Sequence, residues 1–330
     1  MRAHLRLAAA VLPMAALIAL AGCAGESDPV QSPDVIEEEA SADETDVPVI
    51  GLVMKSLGAE FFQNMQEGAE AHAEERGDLE LVSLGTQSQS ELDKQIAFVE
   101  DLIAQQVDAI VIAPMDSQAL VPPLARAVRE GIVVINIDVA LNAEALESEG
   151  VEIPFVGPDN RAAAQLAGDA LAAELGGGDV VIIEGISGAD NAQQRKAGFE
   201  DAIAAGGLEL VSSNTANWET DEANQVFSDL LTRYPDMNGV MAANDAMAIG
   251  VAQALSAAGK AGQIKVVGFD NDPSVKPLIC DGTIMATIEQ YGSQMAAFGI
   301  DYAMDALAGD QLEGWVKTDT TLITADDLNC

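Results

Sequence analysis

Apolar runs that stop abruptly in short polar side chains constrain the fold of this chain more than any other feature of its sequence. One run, 265–269, ends at Asp270; others end at Asp138 and at Asn244. Such runs are typical of buried parallel strands, and small ligands bind at the carboxyl ends of strands in open α/β sheets. Three polar strand ends therefore predict one shared binding site.

The chain from Val47 onward repeats a strand followed by a helix almost to its end. Repeated units of this kind indicate parallel sheets covered by helices, and the rhythm breaks once, at a glutamate-rich surface stretch over 141–150, which implies two similar halves. The pattern predicts a helix over 117–130 and a final extended segment over 320–323. The expected fold class is α/β, with two doubly wound parallel-sheet lobes.

Charge narrows the range of partners. The 330 residues include 15 Lys and Arg against 54 Asp and Glu, a formal net charge of -39. Such a surface repels the phosphates of nucleic acids and anionic membrane surfaces, so no nucleic-acid partner is expected. The acidity fits a soluble extracellular protein and equally fits adaptation to salt, and composition does not separate the two.

The N-terminal segment has the pattern of an export signal. Residues 1–22 combine a basic start with a short apolar run, and Leu20-Ala21-Gly22-Cys23 resembles the lipobox of bacterial lipoproteins. This predicts cleavage before Cys23 and a lipid on its sulfur; the alternative is an ordinary signal peptide with an incidental cysteine. Residues 23–46 are acidic and rich in Pro and Ser, which predicts a disordered tether. The protein is therefore expected outside the cytoplasm, held to a bacterial membrane by its lipid alone.

Several chemistries lack a sequence signal. There is no phosphate-binding loop or dinucleotide fingerprint, and beyond the signal the only histidine is His72, expected on a solvated helix surface. Neither a cysteine and histidine cluster nor a base and nucleophile pair is present, so no cofactor, no metal and no enzymatic activity are expected. Cys280 and Cys330 either pair as a disulfide or leave Cys280 free and buried.

A set of short motifs follows the strands in a characteristic order. The motifs are Phe61-Phe62, Ile137-Asp138, Gly157-Pro158-Asp159-Asn160, Gly185-Ile186-Ser187-Gly188, Arg195-Lys196-Ala197-Gly198-Phe199, Ala243-Asn244-Asp245-Ala246-Met247-Ala248, Val267-Gly268-Phe269-Asp270 and Ala286-Thr287-Ile288-Glu289-Gln290. With them, the chain from Val47 to about residue 325 resembles a periplasmic sugar-binding protein of the ribose-binding type, the solute receptor of an ABC importer.

This resemblance implies the type I periplasmic binding protein fold, with two lobes joined by a three-strand hinge. The ligand would lie between the lobes, and hinge closure around it would be the signal that the transporter permease reads. The protein would act as a monomer. The implied lobes are 47–157 plus 291–319 at the N-terminal side and 158–290 plus 320–330 at the C-terminal side.

The resemblance also implies polar contacts to a sugar. Asp138 and Asp270 would accept hydrogen bonds from hydroxyl groups, while the amides of Asn244 and Gln290 would both donate and accept. Asp270 and Asn244 also have a structural interpretation, as N-caps of the helices that follow them. We favour ligand binding because both strand ends face the same predicted crevice.

Aromatic side chains would cover the faces of the sugar ring. Phe61 and Trp218 match the stacking positions, one from each lobe, and Phe62 flanks them. Arg195 would reach the ligand or, alternatively, form a salt bridge on a helix face, and Asn191 is a weaker candidate from the same turn.

Three departures from the ribose pattern bear on the ligand. Ala59, Val139 and Gln193 stand where the ribose receptor has hydrogen-bond donors, which argues against ribose and for a different pentose, a hexose or a cyclitol. An alternative role is a sensor that presents the sugar to a chemoreceptor or a kinase. A LacI-type regulator shares the lobes but needs a basic DNA-binding headpiece, which this chain lacks.

Overall fold

The computed structural model describes residues 47–312 and 314–330. The predicted signal peptide (1–22), the lipidation site at Cys23 and the predicted tether (23–46) lie outside the described residues. Among the helices that are described, none has the length and apolar character needed to span a bilayer.

The first lobe begins with a run of strand and helix units. Its first strands pair in parallel, because each helix carries the chain back across a face of the sheet. The elements in chain order are β1 (Val49–Met54), α1 (Glu60–Arg76), β2 (Glu80–Gly85), α2 (Leu92–Gln105), β3 (Ala109–Ile112), α3 (Val121–Arg129), β4 (Val133–Ile137), α4 (Ala143–Glu149) and β5 (Phe155–Pro158).

The second lobe repeats the same plan. Its elements in chain order are α5 (Asn160–Leu175), β6 (Gly178–Glu184), α6 (Asp190–Gly206), β7 (Leu208–Thr215), α7 (Thr220–Arg233), β8 (Gly239–Ala242), α8 (Asp245–Ala257), β9 (Lys265–Val267), α9 (Lys276–Cys280) and β10 (Ala286–Glu289).

The end of the chain returns to both lobes. The helix α10 (Gly292–Leu307) packs on α1 and on β3 and β4, β11 (Trp315–Thr318) pairs with β5, and β12 (Thr321–Thr324) pairs antiparallel with β10. The strand orders among the described residues are β11-β5-β4-β3-β1-β2 and β12-β10-β9-β8-β6-β7. The chain therefore crosses between the lobes after β5, after β10 and after β11. This is the expected α/β class, with two doubly wound lobes.

Buried strands explain the uninterrupted apolar runs. On β1, Leu52 and Met54 pack with α1 and α10, whereas Val53 packs with α2 and α3 on the opposite face of the sheet. Because successive side chains of a strand point to opposite faces and helices cover both, every position of such a strand must be apolar. The charged residues Lys55, Asp138 and Asp270 follow the ends of β1, β4 and β9, at the edge that faces the other lobe.

One expected element needs correction, and two elements were not expected from the sequence. The helix predicted over 117–130 begins only at Val121, because Pro122 and Pro123 lie at its first positions and residues 117–120 form a turn. The glutamate-rich surface stretch over 141–150 contains the helix α4, which buries none of its residues and whose N-cap Asn142 accepts a hydrogen bond from the amide of Ala145. Strand β11 had no predicted counterpart.

A disulfide joins Cys280 to Cys330, with their Cα atoms 5.3 Å apart. Both cysteines are exposed, so the alternative of a free and buried Cys280 is wrong. The bond attaches the C-terminus to the end of α9 in the second lobe, and the chain between the two cysteines passes through α10 and β11 of the first lobe.

Candidate ligand-binding site

All nine side chains predicted to contact a ligand lie around one small cavity between the lobes. Each is buried, from Gln290 at 1% exposure to Asp270 at 8%. The cavity measures about 20 Å³, room for about one water molecule, so anything larger enters only if the lobes separate. The wall consists of Lys55, Phe61, Phe62, Gln89, Asp138, Asn191, Arg195, Trp218, Asn244, Asp270 and Gln290.

The ends of the strands aim the two carboxylates. Asp138 directly follows β4 and has φ of 64°, and Asp270 follows β9 with φ of 118°. A non-glycine residue in this region is strained and persists only where its surroundings hold it. Here the sheet does so, because the amide of Asp138 donates to the carbonyl of Val156 at 3.2 Å and that of Asp270 to the carbonyl of Ile288 at 2.7 Å.

Aromatic rings come from both lobes. Phe61 and Phe62 lie in the first turn of α1 and meet edge to face, with ring centroids 5.1 Å apart. Trp218 lies in the loop between β7 and α7 and is 4% exposed. Its indole packs directly over Gly185, where a Cβ atom would collide with the ring, so the glycine of the predicted motif makes room for the tryptophan.

Arg195 is held by its own lobe on several sides. Its Nε donates to Oδ1 of Asn160 at 2.8 Å, its Nη1 donates to the carbonyl of Ala243 at 2.8 Å, and Nη1 lies 3.5 Å from Oδ1 of Asp270. The guanidinium carbon lies 3.6 Å from the ring centroid of Phe269. Burial lowers the pKa of Arg195, and the nearby carboxylate of Asp270 opposes that effect. Arg195 is thus part of the cavity wall and not a salt bridge on an exposed helix face.

A second ion pair belongs to the first lobe. Lys55 follows β1, and its Nζ lies 3.5 Å from Oδ2 of Asp138, with both side chains almost fully buried. The same Nζ lies 5.2 Å from the ring centroid of Phe62 and 5.5 Å from that of Trp218. Burial lowers the pKa of Lys55, while Asp138 raises it. Each lobe therefore brings one cation and one carboxylate to the cavity.

Asp270 holds its proton more tightly than an ordinary aspartate. Burial raises its pKa to about 7, although Arg195 and the hydrogen bond from Gln290 act in the opposite direction. No helix begins at Asp270, since the N-cap of α9 is Val275. The structural interpretation of Asp270 as a helix cap is therefore wrong.

Asn244 does cap a helix. Its Oδ1 accepts a hydrogen bond of 2.9 Å from the amide of Met247 in the first turn of α8. The Nδ2 atom points the other way, where it donates to the carbonyl of Trp218 at 3.4 Å and lines the cavity. The two roles considered for Asn244 are therefore compatible.

Four buried polar atoms of the wall lack a hydrogen-bond partner. They are three acceptors, Gln89 Oε1, Asp138 Oδ2 and Asn191 Oδ1, and one donor, Trp218 Nε1. For Asp138 Oδ2, the ammonium of Lys55 is an ion-pair neighbour at 3.5 Å but does not form a hydrogen bond. Native proteins rarely leave buried polar atoms unsatisfied, and exceptions call for an explanation. Their convergence on one cavity points to a ligand that donates several hydrogen bonds.

Two residues of the cavity wall, Lys55 and Gln89, were not predicted from the sequence. A signal for Lys55 was present, because it directly follows the apolar run of β1, as Asp138 follows that of β4. Gln89 lies in the turn between β2 and α2 among other small polar residues, and nothing in the sequence sets it apart. Within the described ranges, no group of three His, Cys, Asp or Glu side chains could hold a metal ion.

The fold and the buried cavity define a two-lobed receptor that encloses a small ligand between its lobes. Residues 50–311 match the family model of the periplasmic binding protein domain. The chain belongs to the periplasmic binding protein family. This family consists of solute-binding proteins of importers that act outside the cytoplasm, not of enzymes.

Relatives and solved structures agree with this assignment. The D-ribose/D-allose-binding protein of Pseudomonas aeruginosa is 47% identical over 290 residues, which cover 86% of this chain and 91% of the relative. A solute-binding protein of an ABC transporter from Burkholderia multivorans is 44% identical, with a TM-score of 0.82 and coverage of 84% of this chain and 99% of that one. A periplasmic solute-binding protein from Actinobacillus succinogenes with bound D-allose is 36% identical, with a TM-score of 0.82 and coverage of 86% and 99%.

Proposed function

We propose that this protein binds a monosaccharide, D-allose or D-ribose, in the cavity between its lobes. The observation that carries the proposal is the convergence of the unpartnered acceptors of Gln89, Asp138 and Asn191 with the unpartnered donor of Trp218. Sugar hydroxyl groups donate and accept hydrogen bonds, so one ring with several hydroxyls satisfies both kinds of atom. The names of the relatives give the choice of these two sugars.

The aromatic side chains and the charges support a neutral sugar over a charged ligand. Phe61, Phe62 and Trp218 supply flat apolar surfaces for the C–H faces of a ring. The two cations, Lys55 and Arg195, each lie beside a carboxylate of the same lobe, so the wall carries no unpaired charge. A charged ligand would find no uncompensated counter-charge there.

D-Ribose stays a candidate despite the three departures from the ribose pattern. Gln193 is exposed and donates to the carbonyl of Ser187, and Val139 packs into the core of the second lobe. Neither they nor Ala59 form part of the cavity wall, whereas Lys55 and Gln89 do. The donors and acceptors that line this cavity therefore lie at positions other than the three at which the chain departs from the ribose pattern.

Isothermal titration calorimetry on the purified protein tests the proposal with D-allose, D-ribose, D-glucose and myo-inositol. We expect saturable binding of D-allose or D-ribose and weaker or absent binding of D-glucose, because an inverted hydroxyl leaves a buried group unpaired. Absence of heat and of a thermal shift with every one of these compounds would refute the proposal.

We extend the proposal to delivery and anchoring. The closed receptor would hand its sugar to the permease of an ABC importer, and the lipid on Cys23 would keep it at the membrane through the tether 23–46. The lipobox-like sequence before Cys23 supports the anchor. In cells fed a labelled fatty acid, the protein should incorporate label and the Cys23→Ser variant should not; equal labelling of both would contradict the anchor. Size-exclusion chromatography with light scattering should give a monomer mass.

A further inference from the structure

The helix that carries two cavity residues begins without a cap from its own lobe. The N-cap of α6 is Ala189, which has no side-chain oxygen, and α6 provides Asn191 and Arg195 to the cavity wall. The first amides of any helix lack partners within the helix and need an acceptor from elsewhere. For α6, that acceptor comes from the opposite lobe.

Ser117 supplies it. Its hydroxyl Oγ accepts a hydrogen bond of 2.9 Å from the amide of Asp190, the first residue of α6. Ser117 lies in the turn between β3 and α3 of the first lobe, whereas α6 follows β6 of the second lobe. The cap therefore crosses the boundary between the lobes and exists only while they are in contact.

A second hydrogen bond crosses at the same place. The amide of Ser117 donates to the carbonyl of Gly188 at 3.0 Å. The two lobes approach so closely here that a Cβ atom at position 188 would collide with the carboxylate of Asp116. A residue larger than glycine would hold the turn away from α6, so Gly188 is what permits the contact.

The turn that carries Ser117 is held in shape by the first lobe alone. Oδ1 of Asp116 accepts from the amides of Gln118 and Ala119, at 2.9 and 2.7 Å. The carbonyl of Ser117 accepts from the amide of Asn142 at 2.8 Å. Since none of these bonds involves the second lobe, the hydroxyl is already in place before the lobes meet, and little is lost in ordering it.

We propose that Ser117 is a positioning residue that caps α6 across the cleft in the closed protein and thereby slows release of the ligand. Separation of the lobes breaks the cap at the residue next to Asn191, so opening costs the free energy of a helix cap. This role rests on the proposed function, because it concerns the release of the sugar from the cavity.

The Ser117→Ala variant tests the role, because it removes the hydroxyl and keeps the amide that bonds to Gly188. Stopped-flow tryptophan fluorescence with D-allose should show dissociation about fivefold faster than in the wild type, as loss of a helix cap implies, with little change in association. The matched control is Ser148→Ala, which removes an exposed hydroxyl that donates to Glu144 on α4 of the same lobe and should leave the rate unchanged. Ser117→Thr retains the hydroxyl and should restore the slow rate.

Two further measurements separate a cap from a general loss of stability. Hydrogen exchange at the amide of Asp190 in the presence of D-allose should be faster in Ser117→Ala than in the wild type. In an Ala189→Ser background, which gives α6 a cap from its own lobe, the effect of Ser117→Ala on dissociation should shrink. Equal dissociation rates in wild type and Ser117→Ala would overturn the role of Ser117 alone, whereas a wild type that binds no sugar would overturn the proposed function and this role together.

Discussion

The side-chain amide of Gln290 donates a hydrogen bond of 2.6 Å to Oδ1 of Asp270. Gln290 lies at the crossover that follows β10, and Asp270 follows β9, so this bond ties a cavity carboxylate to one of the connections between the lobes. The same Oδ1 lies 3.5 Å from Arg195. The protonation and orientation of Asp270 are therefore linked to both the cavity and the hinge.

Asp270→Asn should weaken sugar binding by about 10- to 100-fold, because it replaces a charged acceptor by an amide that cannot accept from Arg195 and Gln290 equally well. Calorimetry with D-allose measures the change, and Asp236→Asn, at an exposed position of the same lobe, is the control. Unchanged affinity in Asp270→Asn would return Asp270 to a purely structural role.

Lys55→Met should lower the free energy of unfolding by about 3 kcal/mol, because it leaves the buried carboxylate of Asp138 without its counter-ion. Adding Asp138→Asn removes the stranded charge and should recover most of that stability. Sugar affinity should not recover, since both polar groups of the wall are gone. Chemical denaturation and calorimetry on the wild type and the two variants measure the two effects. A double variant that binds D-allose as tightly as the wild type would show that the pair is only structural.

The polar strand ends were predictable from the sequence because parallel strands present their carboxyl ends at one edge. Asp138, Asn244 and Asp270 could be assigned to one site on that ground, and the resemblance added the aromatic positions. The predicted start of α3 is wrong because the helical spacing extends back to 117, whereas Pro122 and Pro123 occupy the first positions of the helix. Ser117 lies in the turn before α3, and its contact with α6 has no local signal because it depends on how the two lobes meet.

Strand β11 was not predicted because its sequence lacks a clear pattern. It is short and lies at the edge of its sheet, with Trp315 and Lys317 exposed, so it lacks the apolar run of a central strand. In this fold a strand can be recognised from its sequence because burial on both faces makes it uniformly apolar, whereas an edge strand is only half buried. The helix α4 within the surface stretch 141–150 was not predicted, because a helix with no buried residue has no apolar face to mark its spacing.

Stability should fall as the pH rises through the neutral range, in part because of Asp272. Burial, together with the carboxylates of Asp270, Asp245, Glu60 and Glu289, raises the pKa of Asp272 to about 9. In the unfolded chain an aspartate titrates at about pH 4, so between pH values of about 4 and 9 the folded state binds one proton that the unfolded chain has lost. The resulting stabilisation is complete below about pH 4 and is lost as the pH rises through about 9.

Asp272→Asn mimics the protonated form and should flatten this dependence. Thermal unfolding at pH 5, 7 and 9 measures the effect. The melting temperature of Asp272→Asn should exceed that of the wild type by a margin that grows with pH and reaches about 3 °C at pH 9. Asp236→Asn, at an exposed carboxylate, should follow the wild type. Melting temperatures that change with pH in the same way for the wild type and Asp272→Asn would contradict the raised pKa of Asp272.

Removal of the Cys280–Cys330 bond should destabilise the second lobe without affecting the cavity. The bond links positions 50 residues apart, and the chain-entropy model gives about 4 kcal/mol for a loop of that length. Because both cysteines are exposed, a mild reductant should reach them in the folded protein. Denaturation with and without reductant, beside a Cys280→Ser/Cys330→Ser variant, measures the effect. An unchanged denaturation midpoint, or a loss of sugar affinity, would contradict this prediction.

The central claim is that a sugar binds between the lobes, against Trp218, and one titration tests it most directly. The chain contains two tryptophans, Trp218 in the cavity and Trp315 at an exposed edge of the first lobe, so Trp315→Phe leaves a single reporter in the cavity. We predict that D-allose or D-ribose changes the fluorescence of this variant saturably, with the same affinity that calorimetry gives for the wild type. Sugar binding by calorimetry with no change in Trp218 fluorescence would place the ligand elsewhere and contradict the account.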